Sequence, residues 1–215
     1  MGNKRLEFKQ TSFFLLLAIT LSVMGGCAHD DPLKGFVKTG SPYQGGSYQP
    51  NLDLWTREAR IYKGFDLELM VTATYKSTDF RKAYVNEYAR VFKLNESDRK
   101  RLEQDEMLAA ENHNEFLIAS FMPESRINDF DKKTPAWRLY LVMNEAIRIE
   151  PAKIEKKKMD PVTQYFFPYT SPWKSIYAVR FKKNGPKEKT VPETGAAKIK
   201  LIITGVRGNA ELNWN

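Results

Sequence analysis

Two histidines, His29 and His113, are the only imidazoles in this chain, and they set a narrow limit on its chemistry. Neither stands in an HExxH or His-x-His pattern, and with one cysteine there is no CxxC, so no metal centre is expected. A nucleophilic serine needs a histidine base held by a third group. Only His113 is available beyond the N-terminal segment, and no Gly-x-Ser-x-Gly occurs. His113 lies in "ENHNEF" after a charged helical stretch, where Asn or His serves to cap a helix end. Carboxylates are plentiful, but catalysis by a pair needs them about 5–10 Å apart in a cleft. Here most alternate with apolar residues or line a helix, the pattern of solvated faces. The glycine-bearing stretches "KGFVKTG" and "YQGGSYQ" fall in a linker, so no phosphate cradle is expected either. These residues predict no catalytic group, no metal and no cofactor.

The stretch with the most binding potential is "QYFFPYTSPWKSIY", residues 164–177, with six aromatics and two prolines. Pro168 and Pro172 restrict the backbone to an extended or turned loop. Flat rings with polar tips stack on sugars or anchor protein partners, and they also plug the end of a core. Tyr169 and Trp173 are the candidate contact residues for a partner or glycan. "KIEKKK", residues 153–158, is the densest basic run. It reads as a solvated loop, or as a contact for anionic lipid or glycan.

The lone thiol, Cys27, closes the stretch "LSVMGGC". Before it come Lys4, Arg5 and Lys9 against Glu7, then an apolar run from Phe13 to Met24. A basic region followed by a short apolar one is an export signal, and the run is about half the roughly 20 residues a bilayer span needs. With its small residues Gly25 and Gly26, the segment resembles the lipobox of bacterial lipoproteins. That resemblance covers residues 1–27 alone. It implies diacylglyceryl and palmitate attachment at Cys27, removal of residues 1–26 as a signal peptide, and a membrane anchor at the new N-terminus. It also brings a sorting rule in which Asp after the cysteine favours the inner membrane. Ala28 stands there, so the expectation is the outer membrane, facing the periplasm. "MGNKRL" does not fit N-myristoylation, because Leu6 occupies the Ser/Thr position. An exported chain with one Cys has no internal disulfide.

Of the formal net charge of +8, the first 26 residues carry +2. The remaining surplus attracts anionic headgroups or polymers; for a chain tethered outside the cytoplasm, nucleic acid is not an expected partner. Residues 28–51 contain four Gly, three Pro and no hydrophobic period, and read as a flexible tether with a reach of about 27 Å. The expected domain covers 52–215.

Within it, strands dominate. "FDLELMVTATY" alternates, with Phe65, Leu67, Leu69, Val71, Ala73 and Tyr75 on one face and Asp66, Glu68, Thr72 and Thr74 on the other. "REARIY" precedes it across Lys63-Gly64, a hairpin spacing. "EFLIASFM", "AWRLYLVM", "AIRIEP", "KSIYAVRFK", "KIKLIITGV" and "AELNWN" read as further strands. Between Thr78 and Asn112 the period changes. Phe80, Tyr84, Tyr88, Val91 and Phe92 share a helical face behind Ser77 or Thr78 as cap, and Asn95 or Ser97 starts a second helix. The expected fold is mainly β: a two-layer antiparallel β-sandwich of immunoglobulin-like architecture, with a helix pair inserted at about 78–112. The expected function is a non-enzymatic accessory or binding module of a cell-envelope assembly, with an envelope protein or anionic glycan as partner. A lipid-anchored enzyme acting on cell-wall glycan through paired carboxylates is the alternative.

Overall fold

The computed structural model describes residues 47–144, 147–183 and 198–214. The segment read as a signal peptide, Cys27 and most of the expected tether lie outside those residues. No helix among the described residues is long and apolar enough to cross a membrane.

Among the described residues, nine strands build two antiparallel sheets. β1 (Thr56–Lys63), β2 (Asp66–Tyr75), β3 (His113–Phe121), β7 (Ser175–Lys182) and β6 (Lys153–Lys157) form one, in the order β1-β2-β3-β7-β6. β5 (Ile147–Ile149), β4 (Trp137–Met143), β8 (Ile199–Gly205) and β9 (Gly208–Trp214) form the other, in the order β5-β4-β8-β9. The sheets face each other as the β-sandwich the alternation predicts. Leu69, Val71, Ala73, Phe116, Ile118, Tyr177 and Val179 meet Trp137, Leu139, Leu141, Leu201, Ile203, Leu212 and Trp214 in a shared core. Where the sheets close beside β1 and β9, the backbone of Gly208 sits at φ 141°, and a Cβ there would stand 2.7 Å from Ile61 Cγ2. Only glycine combines that dihedral with that approach.

The helix pair follows its caps. α1 (Tyr48–Trp55) precedes β1; α2 (Thr78–Phe92) and α3 (Glu96–Asn112) join β2 to β3; α4 (Pro161–Phe166) precedes β7. Ser77 Oγ accepts the Phe80 N–H at 3.1 Å, and Asn95 Oδ1 accepts the Asp98 N–H at 2.9 Å. Each cap satisfies a donor that the first turn leaves open. His113 is both the C-cap of α3 and the first residue of β3, with its backbone N–H on the Ala109 carbonyl.

Four local expectations need correction. Thr72 and Thr74, read as solvent-facing, are 4% and 0% exposed. The outer face of the five-stranded sheet is covered by helices and by the loop after α4, so β2 is buried on both sides. Phe65, read as the first core residue of its strand, sits with Gly64 in the β1–β2 turn and is fully exposed. A bulge between Ile61 and Tyr62 shifts the register there. Residues 153–157, read as a loop, pair with β7 as an edge strand. The domain also begins before Leu52. Tyr48 and Leu52, one helical turn apart on α1, are both buried, so the last residues assigned to the tether belong to the fold.

Candidate functional site

The aromatic stretch is held by local hydrogen bonds before any long-range contact. Asp160 caps α4, its Oδ1 accepting the Thr163 N–H at 2.8 Å and its Oδ2 the Thr163 hydroxyl at 2.9 Å. These bonds hold the Asp160 carboxyl below its ordinary range. Pro161 opens the helix, where a missing N–H costs nothing. So part of the expected extended loop is helical, and Pro168 and Pro172 act only beyond it. Past the helix, Thr170 Oγ1 donates to the Phe167 carbonyl at 2.7 Å, and Lys174 Nζ donates to the Tyr169 carbonyl at 2.9 Å.

Most of the rings turn inward. Phe166 and Phe167 are buried, and Phe166 meets Tyr48, Tyr84 and Tyr88 at centroid distances of 5.5, 4.8 and 5.6 Å. Tyr165 donates its hydroxyl to the buried Glu87 at 2.7 Å, and Arg90 closes on the same carboxylate at 2.7 Å. Tyr169 was expected to project, and it does not. Its hydroxyl donates to the Leu117 carbonyl at 3.3 Å and shares a 2.7 Å bond with Thr74 Oγ1, which is bonded in turn to Thr56 Oγ1 at 2.7 Å. Burial pushes the Tyr169 phenol up, so it stays a donor. The hydroxyl is thus bonded to two strands of the fold, β2 and β3.

Trp173 is the exception. It is 81% exposed, on a segment fixed by its neighbours on both sides. Burial pushes the adjacent Lys174 ammonium down, with Glu58 opposing and Arg60 adding to the shift. Arg60 and Glu58 pair at 2.7 Å. Lys174, next to Trp173 in the chain, thus lies near charges of both signs.

Two features escaped the sequence. One is a buried ionic cluster. Arg81, 0% exposed, pairs with Glu106 of α3 and, at 3.2 Å, with Glu115 of β3. Lys76 reaches Glu115 at 3.5 Å, as does Arg180. Burial pushes the Glu115 carboxyl up, but Lys76, Arg81 and Arg180 together outweigh it and hold the group below the ordinary carboxylate range. The other is an open groove of about 350 Å³ between β4 and the start of β6, lined by Phe130, Lys132, Lys133, Trp137, Arg138 and Tyr140 among others. "KK" at 132–133 was visible as a charge pair, but nothing local showed that it faces a cleft.

Paired-carboxylate chemistry needs an acid whose pKa is raised. Glu115, Glu155 and Asp160 all move the other way, Glu155 down to about 2 between Lys157 and Lys153. Among the described residues, no three histidine, cysteine or carboxylate side chains converge as metal ligands would. Comparison with protein families, curated proteins and solved structures finds no match to the chain.

Proposed function

We propose that the chain is a lipid-anchored binding module of the cell envelope. It is exported, acylated at Cys27, held at the outer membrane facing the periplasm, and it presents Trp173 to an envelope protein or anionic glycan. The observation that carries the binding role is the 81% exposure of Trp173 on a segment whose neighbouring rings are locked into the fold. A rigid exposed indole loses little entropy on binding and is the commonest kind of interface anchor. The lowered carboxylates favour a module over a glycan-cleaving enzyme.

Two expected outcomes test the reading. Trp173→Ala should leave the melting midpoint within the range of a neutral surface change, about 0.5 kcal/mol. It should weaken partner binding by about 2 kcal/mol or more, seen as lost yield in cellular photo-crosslinking. Unchanged yield from a folded variant removes Trp173 from the contact. For the anchor, Cys27→Ser should abolish incorporation of labelled palmitate and release the protein from membranes. Label that still enters the Ser variant refutes acylation at this residue.

A further inference from the structure

Residues Trp137–Tyr140 of β4 pair with β8 on one side. On the other side β5 covers only Leu141, Val142 and Met143. Among the described residues no strand pairs with the rest of that edge. A strand edge offers the N–H and C=O groups of alternate residues, so this stretch presents about two donors and two acceptors. They lie against the groove described above, whose volume is about 350 Å³.

Another sheet edge is treated differently. β6 borders the five-stranded sheet with Lys153 and Lys157 both paired to Glu155, at 3.1 and 2.5 Å. Charged side chains, lysines above all, along a short edge strand are a usual way to discourage edge pairing. The groove beside β4 has unspent charge. Lys132, Lys133 and Arg138 are exposed there and pair with no carboxylate among the described residues, and Glu150 is the one acid in the lining. Phe130, Pro151 and Ile154 add apolar lining.

We propose that this edge takes up an extended acidic peptide as an added strand of the four-stranded sheet. The pleat sets the pattern the peptide must have. Trp137 and Leu139 point into the sandwich and Arg138 and Tyr140 point away from it. A strand laid beside them therefore puts alternate residues toward Phe130 and Ile154 and the others toward Arg138. The fitting segment alternates apolar and acidic residues. Main-chain bonds supply affinity and the alternate side chains supply selectivity. This partner is distinct from whatever meets Trp173, and the inference stands apart from the lipid anchor.

The test uses the full chain in detergent and acetyl-(Glu-Val)4-amide as probe. Binding should protect from hydrogen exchange the amides among residues 137–140 that face the open edge, those not already bonded to β8. It should weaken at least tenfold for the same peptide N-methylated at alternate residues, and at least tenfold for (Lys-Val)4. The triple variant Lys132→Glu/Lys133→Glu/Arg138→Glu should also bind at least tenfold more weakly, with its melting midpoint kept because all three side chains are exposed. Equal affinity for the N-methylated peptide would mean attraction without strand addition and would overturn the proposal. So would protection confined to other strands, or no binding to the folded chain at about 1 mM peptide. A concentration-dependent dimer that protects residues 137–140 without peptide would assign the edge to a second copy and overturn it equally.

Discussion

Arg81→Met is expected to lower stability by about 3–5 kcal/mol at neutral pH, because it leaves buried carboxylates without their guanidinium. Arg81 is 0% exposed and pairs with both Glu106 of α3 and Glu115 of β3; Lys76 meets the same two carboxylates at 3.6 and 3.5 Å, and the Arg81 Nε donates to the Lys76 carbonyl at 2.9 Å. Methionine fills similar volume, so the loss reports charge rather than a cavity. For a domain of this size the midpoint should fall by roughly 2–4 °C per kcal/mol. The pH dependence separates this from a packing defect. In the native protein the Glu115 carboxyl is held below its ordinary value of 4.5. Its contribution to stability is therefore complete above that value and is lost as pH falls through the lower, folded one. In the variant, burial acts against fewer cations and the carboxyl rises. The gap between the two proteins should be widest near neutrality and should narrow as the acids protonate below about pH 4. Chemical denaturation at pH 7 and pH 3 measures it. An equal gap at both would show that the cluster acts through packing alone.

This cluster marks where local pattern stops being informative. The alternation of β2 and the 3.6-residue period of α2 are properties of neighbouring residues, so most of the strands, the two inserted helices and the cap candidates Ser77 and Asn95 were legible. What covers an element depends on residues far away in sequence. Thr72 and Thr74 look polar and outward by alternation, yet Tyr169, more than ninety residues on, sits over Thr74 at 2.7 Å. Arg81 sits in the first turn of α2 beside Lys82 and near Asp79, and only the return of the chain at Glu115 makes it a core residue. β6 offers a single apolar residue, Ile154, between charges. It is a strand because β7 is there to pair with, and pairing between distant segments leaves no local trace.

The aromatic stretch shows the same limit at the candidate site. Its composition was legible, and it was read as either core or contact. Which ring does which was not. Tyr169 and Trp173 are both rings in a proline-bearing loop, separated by three residues. The first meets a hydroxyl and a carbonyl under the helices. The second meets none and is left outside. The difference lies in Thr74 and Leu117, on β2 and β3, and no spacing within 164–177 encodes it.

Tyr48 carries the second large effect, and it concerns where the domain begins. Its side chain is 3% exposed, its hydroxyl donates to the Phe166 carbonyl at 2.6 Å, and its ring meets Phe80 at 5.9 Å and Phe166 at 5.5 Å. Removing the ring leaves a hole among three elements, α1, α2 and α4, which cannot all move to fill it. Tyr48→Ala should therefore cost about 3–5 kcal/mol. Tyr48→Phe keeps the ring and loses only the donor to a buried carbonyl, so it should cost about 1–3 kcal/mol. The order matters more than either value. If Phe is as damaging as Ala, the bond to Phe166 dominates; if Phe is neutral, packing does. A fragment starting at Leu52 lacks the ring, the bond and the first half of α1. It should melt lower than a fragment starting at Ser47 by at least the Tyr48→Ala shift. Thermal unfolding of the two fragments and the two point variants measures all of these together. Equal midpoints for the fragments would return residues 48–51 to the tether and leave the aromatic layer complete without them.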